Sequence, residues 1–256
     1  MWQALRSIYI WTAIAVQLTI MYPIGLPLFL LTMPFDKTRR IGHWYAQMWG
    51  RGLLKINNRW STEVIGNDRI PQKRPMVVIA NHQGMGDIMM AFCLDLHFKW
   101  ISKAANFYVP FMGWFMFHAG YIPLVRGKRS SIERCMERAH EYLQMGVSVL
   151  FFPEGTRSHD GVVKPFKPGA FKLALKGGYD ILPLGISGTL NALPKGTWKF
   201  SNDPTRMRIL VGTPISTKGL TDADLEPLMS RCHSAVVSLK HQLDDTEYEQ
   251  PLRATG

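Results

Sequence analysis

A histidine and an aspartate five residues apart, His82 and Asp87, close the stretch Val77-Val78-Ile79-Ala80-Asn81-His82-Gln83-Gly84-Met85-Gly86-Asp87. A carboxylate bonded to one imidazole nitrogen leaves the other able to take a proton from an alcohol. The surrounding pattern suits that geometry. Four apolar, mostly β-branched residues read as a buried strand, and Gly84 and Gly86 break it into a turn. A helix is predicted over Ile88 to Leu96, which puts Asp87 near its start. An isolated pair of this kind is more often a turn histidine bonded to a helix-capping aspartate, so its meaning depends on what the chain places beside it.

Four cations fall at comparable turns: Lys103, Arg126, Arg157 and Lys167. Arginine forks and backbone N–H groups of a glycine-bearing turn make a phosphate monoester site. One such turn, Pro153-Glu154-Gly155-Thr156-Arg157-Ser158, follows the apolar run Val147 to Phe152. A carboxylate inside a phosphate site would repel the ligand, so Glu154 is expected to brace an arginine or the turn's amides. The cysteines, Cys93, Cys135 and Cys232, are far apart and without metal-ligand spacing. They suit a reducing compartment and neither a disulfide framework nor a zinc site.

The elements that must hold these residues alternate between the two periods. Strands are predicted at Thr62 to Gly66, Val77 to Ala80, His97 to Ser102, Ala119 to Val125, Val147 to Phe152, Tyr179 to Ile186 and Arg206 to Val211. Helices are predicted from Ser130 to Gln144, with Ser130 and Glu133 as a capping box, from Pro168 to Lys176, and from Thr221 to about Leu243. Phe107 to His118, crowded with aromatic residues and methionine, reads as core, as a wall of an acyl-chain pocket, or as a membrane-dipping surface. The expected fold is α/β, a largely parallel or mixed sheet covered by helices on both faces. In such sheets ligands gather outside the strand ends, where His82, Arg126 and Glu154 all fall.

The N-terminal part differs in character. No residue from Ser7 to Phe35 is charged, a run long enough for a bilayer, which takes ~20 apolar residues. Pro23, Gly25, Pro27 and Pro34 predict a helix over Trp2 to Tyr22 followed by a kinked piece. The basic group Lys37, Arg39 and Arg40 places the following domain on the cytoplasmic face of the inner or plasma membrane. Residues 41 to 60 are expected to form an amphipathic helix at headgroup level, with Trp44, Trp49 and Trp60 among its apolar positions. The chain thus divides into a membrane-associated helical segment over 1–60, an α/β domain over 61–245 and a loose tail over 246–256. Thirty Lys and Arg against nineteen Asp and Glu leave a net charge of +11, suited to an anionic membrane or a phosphorylated substrate. No nucleic-acid-binding pattern accompanies that charge, so no nucleic-acid partner is expected.

These residues carry a specific resemblance. The chain resembles the glycerophospholipid acyltransferases, in particular 1-acyl-sn-glycerol-3-phosphate acyltransferases. The H-x-x-x-x-D block matches His82 to Asp87, G-x-I-x-x-x-R matches Gly120-Tyr121-Ile122-Pro123-Leu124-Val125-Arg126, and F-P-E-G-T-R-S runs from Phe152 to Ser158. A proline-bearing apolar strand, Ile181-Leu182-Pro183-Leu184, follows in the family's order. The chain departs from the pattern at Gly84, where many members have serine, and after Lys103, where many have an acidic residue. The resemblance implies His82 as general base and Asp87 as the group that orients it. It also implies a substrate site drawing on Gly120, Ile122, Arg126, Glu154, Gly155, Thr156 and Arg157, to which the strand-end cations Lys103 and Lys167 are added.

The implied reaction moves a fatty acyl group from acyl-CoA or acyl carrier protein to the sn-2 hydroxyl of 1-acyl-glycerol-3-phosphate, giving phosphatidic acid. It needs no covalent enzyme intermediate, no metal and no cofactor beyond the acyl donor. The expected partners are a lysophospholipid acceptor, the acyl donor and the bilayer. Two other readings stay open at this point: an acceptor such as a lyso-ornithine lipid or another lysophospholipid, and a thioesterase-like hydrolase using water as nucleophile.

Overall fold

The computed structural model describes residues 1–194 and 196–249. Its centre is a mixed seven-stranded sheet in the order β1-β7-β6-β2-β5-β3-β4. The strands are β1 (Trp60–Ile65), β2 (Val77–Ala80), β3 (Phe98–Lys103), β4 (Ile122–Leu124), β5 (Ser148–Phe151), β6 (Ile181–Ser187) and β7 (Thr205–Val211). Five of them, β6-β2-β5-β3-β4, run parallel, while β7 pairs antiparallel with β6 and parallel with β1. Every residue of β2, β5 and β6 is buried, which is why they read as continuous apolar runs.

Helices cover both faces. On one, Val78, Ala80, Leu150 and Leu184 pack with residues of α1 (Trp2–Thr32), α2 (Arg40–Leu54), α3 (Gly86–Ala91) and α4 (Met112–His118). On the other, Val77, Ile79, Val149 and Ile181 meet α5 (Arg129–Gln144), α6 (Gly169–Gly177) and α8 (Leu225–Glu249). The two-residue period of the strands thus splits one apolar run between two cores.

The expected break in the first helix is absent. α1 continues through Pro23 and Pro27 to Thr32. Thr19, Pro23 and Pro27 all lie on its exposed side, so the carbonyls that lose a donor face outward, where a helix wrapped on a core curves convexly. On the inner side Gly25 leaves room for the Tyr45 ring, and the Tyr45 hydroxyl donates to the Met21 carbonyl at 2.6 Å.

The second helix is also corrected. It ends at Leu54, and Trp60 begins β1 instead. Tyr45, Trp49 and Leu53 are buried, and Trp49 and Tyr45 pack on Phe115, while Trp44 and Met48 are exposed beside Arg51 and Lys55. Its apolar stripe is therefore mostly a core contact. Lys99, fully buried, ties this helix down: its Nζ donates to the carbonyls of Ala119 at 2.8 Å and Arg39 at 3.2 Å. Burial lowers its pKa to about 7.

Smaller expectations also shift. α3 stops at Ala91, short of Leu96. The Ser130–Glu133 capping box is not formed: Glu133 pairs with Arg129, and the Ser131 hydroxyl accepts from the Val125 N–H. Thr221 and Asp224 do form such a box, ahead of α8. That helix runs on to Glu249, into the expected loose tail, and residues 250–256 of that tail lie outside the described residues.

Candidate active site

His82 lies two residues past β2, and Asp87 is the second residue of α3. The Gly84–Gly86 turn folds the helix start back, so that Asp87 Oδ2 sits 2.6 Å from His82 Nδ1. The same oxygen accepts the N–H groups of Gln83 at 2.7 Å and Gly84 at 3.0 Å. An oxygen already receiving two donors acts as acceptor toward the ring, so the proton belongs on Nδ1 and Nε2 carries the lone pair. Asp87 is fully buried, whereas the His82 side chain is 20% exposed. The imidazole stacks on Phe152, with centroids 4.2 Å apart. Nε2 has no protein hydrogen-bond partner among the described residues and can accept a proton from a ligand.

The Glu154 turn is welded to this strand end. Glu154 Oε1 accepts the His82 N–H at 2.7 Å, and Oε2 accepts the Lys164 N–H at 3.0 Å. The Ser158 N–H donates to the His82 carbonyl at 2.7 Å. Glu154 therefore braces backbone amides. Burial pushes its pKa up, and the two N–H groups oppose that shift. Gly155 adopts φ +72, and a Cβ there would lie 2.8 Å from Lys167 Nζ, so the lysine side chain lies across the turn.

The remaining candidates separate into two groups. Lys103 ends β3, and Arg126 lies two residues past β4, both exposed at the same edge as His82. β4 is three strand positions from β2, about 14 Å at about 4.8 Å per step. Thr156 and Arg157 are half-buried on the Glu154 turn. Gly120 and Ile122, by contrast, lie at the start of β4, the end away from His82. Gly120 precedes β4 at φ +73, where a Cβ would meet the Tyr142 hydroxyl, and Ile122 is buried in the core. They hold β4 in place.

Three further residues complete the site. Asn81 exchanges two hydrogen bonds with the main chain of Ile186, at 2.9 and 2.8 Å, and Gln83 Nε2 donates to the same carbonyl at 2.6 Å. The Thr189 hydroxyl donates to Asp87 Oδ1. Asn81 and Gln83 stood inside the motif with no role assigned, while nothing near Thr189 in the sequence signals it.

Comparison with known proteins bears on this arrangement. The acyltransferase family model matches residues 61–187, which hold every element described around the site except Thr189 and the short helix it opens, α7 (Thr189–Ala192). A 1-acyl-sn-glycerol-3-phosphate acyltransferase of Chlamydomonas reinhardtii is 37% identical over 68% of this chain and 54% of its own length. The chloroplastic enzyme of that name from Brassica napus is 36% identical over 78% of this chain and 57% of its own. The chain belongs to this acyltransferase family. The chain spans a little over half the length of these relatives. The crystal structure of the 1-acyl-sn-glycerophosphate acyltransferase PlsC from Thermotoga maritima superposes with a TM-score of 0.77 at 25% identity, covering 94% of this chain and 98% of that one. The likeness therefore extends beyond the matched domain to the N-terminal helices.

Proposed function

We propose that the acyltransferase moves a fatty acyl group from acyl-CoA or acyl carrier protein to the sn-2 hydroxyl of 1-acyl-glycerol-3-phosphate, giving phosphatidic acid. The observation that carries the reading is the partnerless Nε2 of an imidazole whose Nδ1 is held by a buried carboxylate, beside a glycine turn and strand-end cations. His82 Nε2 takes the hydroxyl proton as the acceptor oxygen attacks the thioester carbon. The tetrahedral oxyanion collapses, the carbon–sulfur bond breaks, and the proton passes to the departing thiolate. Asp87 stabilises the imidazolium formed between these steps.

The acceptor phosphate is assigned to Arg126 and the turn of Glu154, Gly155, Thr156 and Arg157, with Lys103 and Lys167 at its rim. The span from β2 to β4 leaves room for a glycerol phosphate with its hydroxyl at His82 and its phosphate toward Arg126. A clamp on an acceptor's phosphate has no use in thioester hydrolysis, so the assignment of that clamp to the acceptor disfavours the hydrolase reading. An acceptor panel of lysophosphatidic acid, other lysophospholipids and lyso-ornithine lipid, read by product mass with both acyl donors, tests the assignment. Phosphatidic acid should dominate. Product from another acceptor, or thiol release with none, would replace the reading. Arg126→Ala should raise the KM for the acceptor by about tenfold or more with little change for the donor, and lysine should restore it incompletely. Donor-specific weakening would mean that the phosphate has been assigned to the wrong substrate.

The proposed site of action is the cytoplasmic face of a membrane. Among the described residues α1 alone is long and apolar enough to cross one, with a mean hydropathy of 1.9 over an 18-residue stretch. Yet it touches the domain from Gln3, which donates to the Phe200 carbonyl, to Phe29, which packs on Phe115. That contact favours a helix lying along the protein with its outer side, including Ile8, Val16, Ile24 and Leu31, in one leaflet. Detergent should release the full-length protein from membranes and high salt should release little, because apolar burial dominates screened charge. Complete release by salt alone would remove the apolar anchor from the proposal.

A further inference from the structure

Thr189 has no part in the chemistry proposed above, yet it touches the group that orients the base. It opens the short helix α7 (Thr189–Ala192) directly after β6. Its hydroxyl donates to Asp87 Oδ1, the oxygen that His82 does not use. Both residues are buried, and 102 positions separate them in the chain.

The backbone is arranged for this contact. Gly188 turns with φ +84, and a Cβ there would run into the Arg206 carbonyl. A Cβ at Gly84 would lie 2.6 Å from the Thr189 carbonyl oxygen, so the two loops meet main chain to main chain. The end of β6 is pinned to the motif by the Asn81–Ile186 pair, and to α8 by Ser187, whose hydroxyl donates to Asp244 at 2.5 Å.

We infer that Thr189 is a positioning residue of the acyl-transfer site, its hydroxyl locking the Asp87 carboxylate and setting how strongly that carboxylate holds His82. The inference rests on His82 being the base. The terminal torsion of an aspartate is soft, so donors on one oxygen alone leave the carboxylate able to rock. A donor on Oδ1 stops that motion. It also draws negative charge from Oδ2, which moderates the stabilisation of a protonated imidazole. Without the hydroxyl, the ring should hold its proton to higher pH and be less well aimed. Of the charged groups around His82, Glu154 accepts the His82 N–H and interacts with Lys164. Arg157 and Lys167 lie along the Glu154 turn, and Lys103 and Arg126 stand at the same sheet edge. The substitution leaves all of these in place.

The test compares Thr189→Val, Thr189→Ala and Thr189→Ser in full-length, detergent-solubilised protein. Valine and alanine should lower kcat by about tenfold, within the range expected of misaligned catalytic groups, and leave the acceptor KM within about twofold. The acid limb of the kcat/KM profile should move to higher pH in both. Serine should keep the wild-type rate and limb. Titration of the His82 imidazole by nitrogen NMR, without substrate, should follow the same order. Alanine covers the case in which valine fails to fold, since it brings no new bulk. Wild-type rates and an unmoved His82 titration in the alanine protein would overturn the inference. So would a serine protein as impaired as the alanine one, which would reduce Thr189 to packing. The NMR titration does not depend on turnover, so it separates failure here from failure of the base assignment.

Discussion

His82→Ala is expected to reduce acyl transfer by ~10²–10⁴-fold while leaving the fold and acceptor binding largely intact. The structure makes this substitution a clean one. The backbone bonds that join the His82 strand end to Glu154 and Ser158 do not involve the ring. Asp87, after losing the imidazole, keeps the N–H groups of Gln83 and Gly84 and the Thr189 hydroxyl. The buried carboxylate therefore stays satisfied, and the space left beside Phe152 opens toward solvent and not into the core. Initial rates, thermal unfolding and lysolipid binding measured on the same preparation separate the effects. A folded His82→Ala protein that still turns over near the wild-type rate would sink the general-base mechanism.

The parts that were legible in the sequence are those whose partners are local or whose environment is uniform. His82 and Asp87 are five residues apart across a glycine turn, so spacing alone brings them together. β2, β5 and β6 are buried on both faces and read as apolar runs. Where a segment's surroundings change along its length, sequence reasoning failed. Pro23 and Pro27 suggest a break, yet their exposed placement lets α1 continue. The tryptophans of residues 41 to 60 look alike in sequence, but Trp49 is buried against Phe115, Trp44 is exposed, and Trp60 belongs to a strand. Ser130 and Glu133 have capping-box spacing, but the helix begins one residue earlier and their side chains are not used that way. Gly120 and Ile122 share a motif with Arg126, but β4 separates them: they lie at its start, packed against Tyr142 and the core, while Arg126 is exposed past its end. Thr189 was invisible because its contact with Asp87 exists only once β6 lies beside β2.

Asp87→Asn is expected to cost nearly as much activity as loss of the histidine while sparing most of the stability. In a site with few donors, an asparagine could turn its amino group to the ring and impose the wrong tautomer. Here the Gln83 and Gly84 N–H groups point at the oxygen nearest His82, so the amide oxygen must face them and the ring keeps its proton on Nδ1. The amino group then meets Thr189, whose hydroxyl can reverse from donor to acceptor. Shape and tautomer survive, and the negative charge that stabilises the imidazolium does not. The expected loss is therefore in kcat, on the order of 10²–10³-fold, below the ~10⁴ that a wrong tautomer adds elsewhere. Asp87→Ala should behave differently. It strands two buried N–H groups and a buried hydroxyl, each costing about 1–3 kcal/mol, so its melting temperature should fall well below that of the asparagine protein. Kinetics and thermal unfolding of the pair, with nitrogen NMR of the His82 ring, read the distinction directly. An asparagine protein whose ring carries its proton on Nε2 would show that the two backbone donors do not control the carboxamide, and an active one would show that the charge on Asp87 is dispensable.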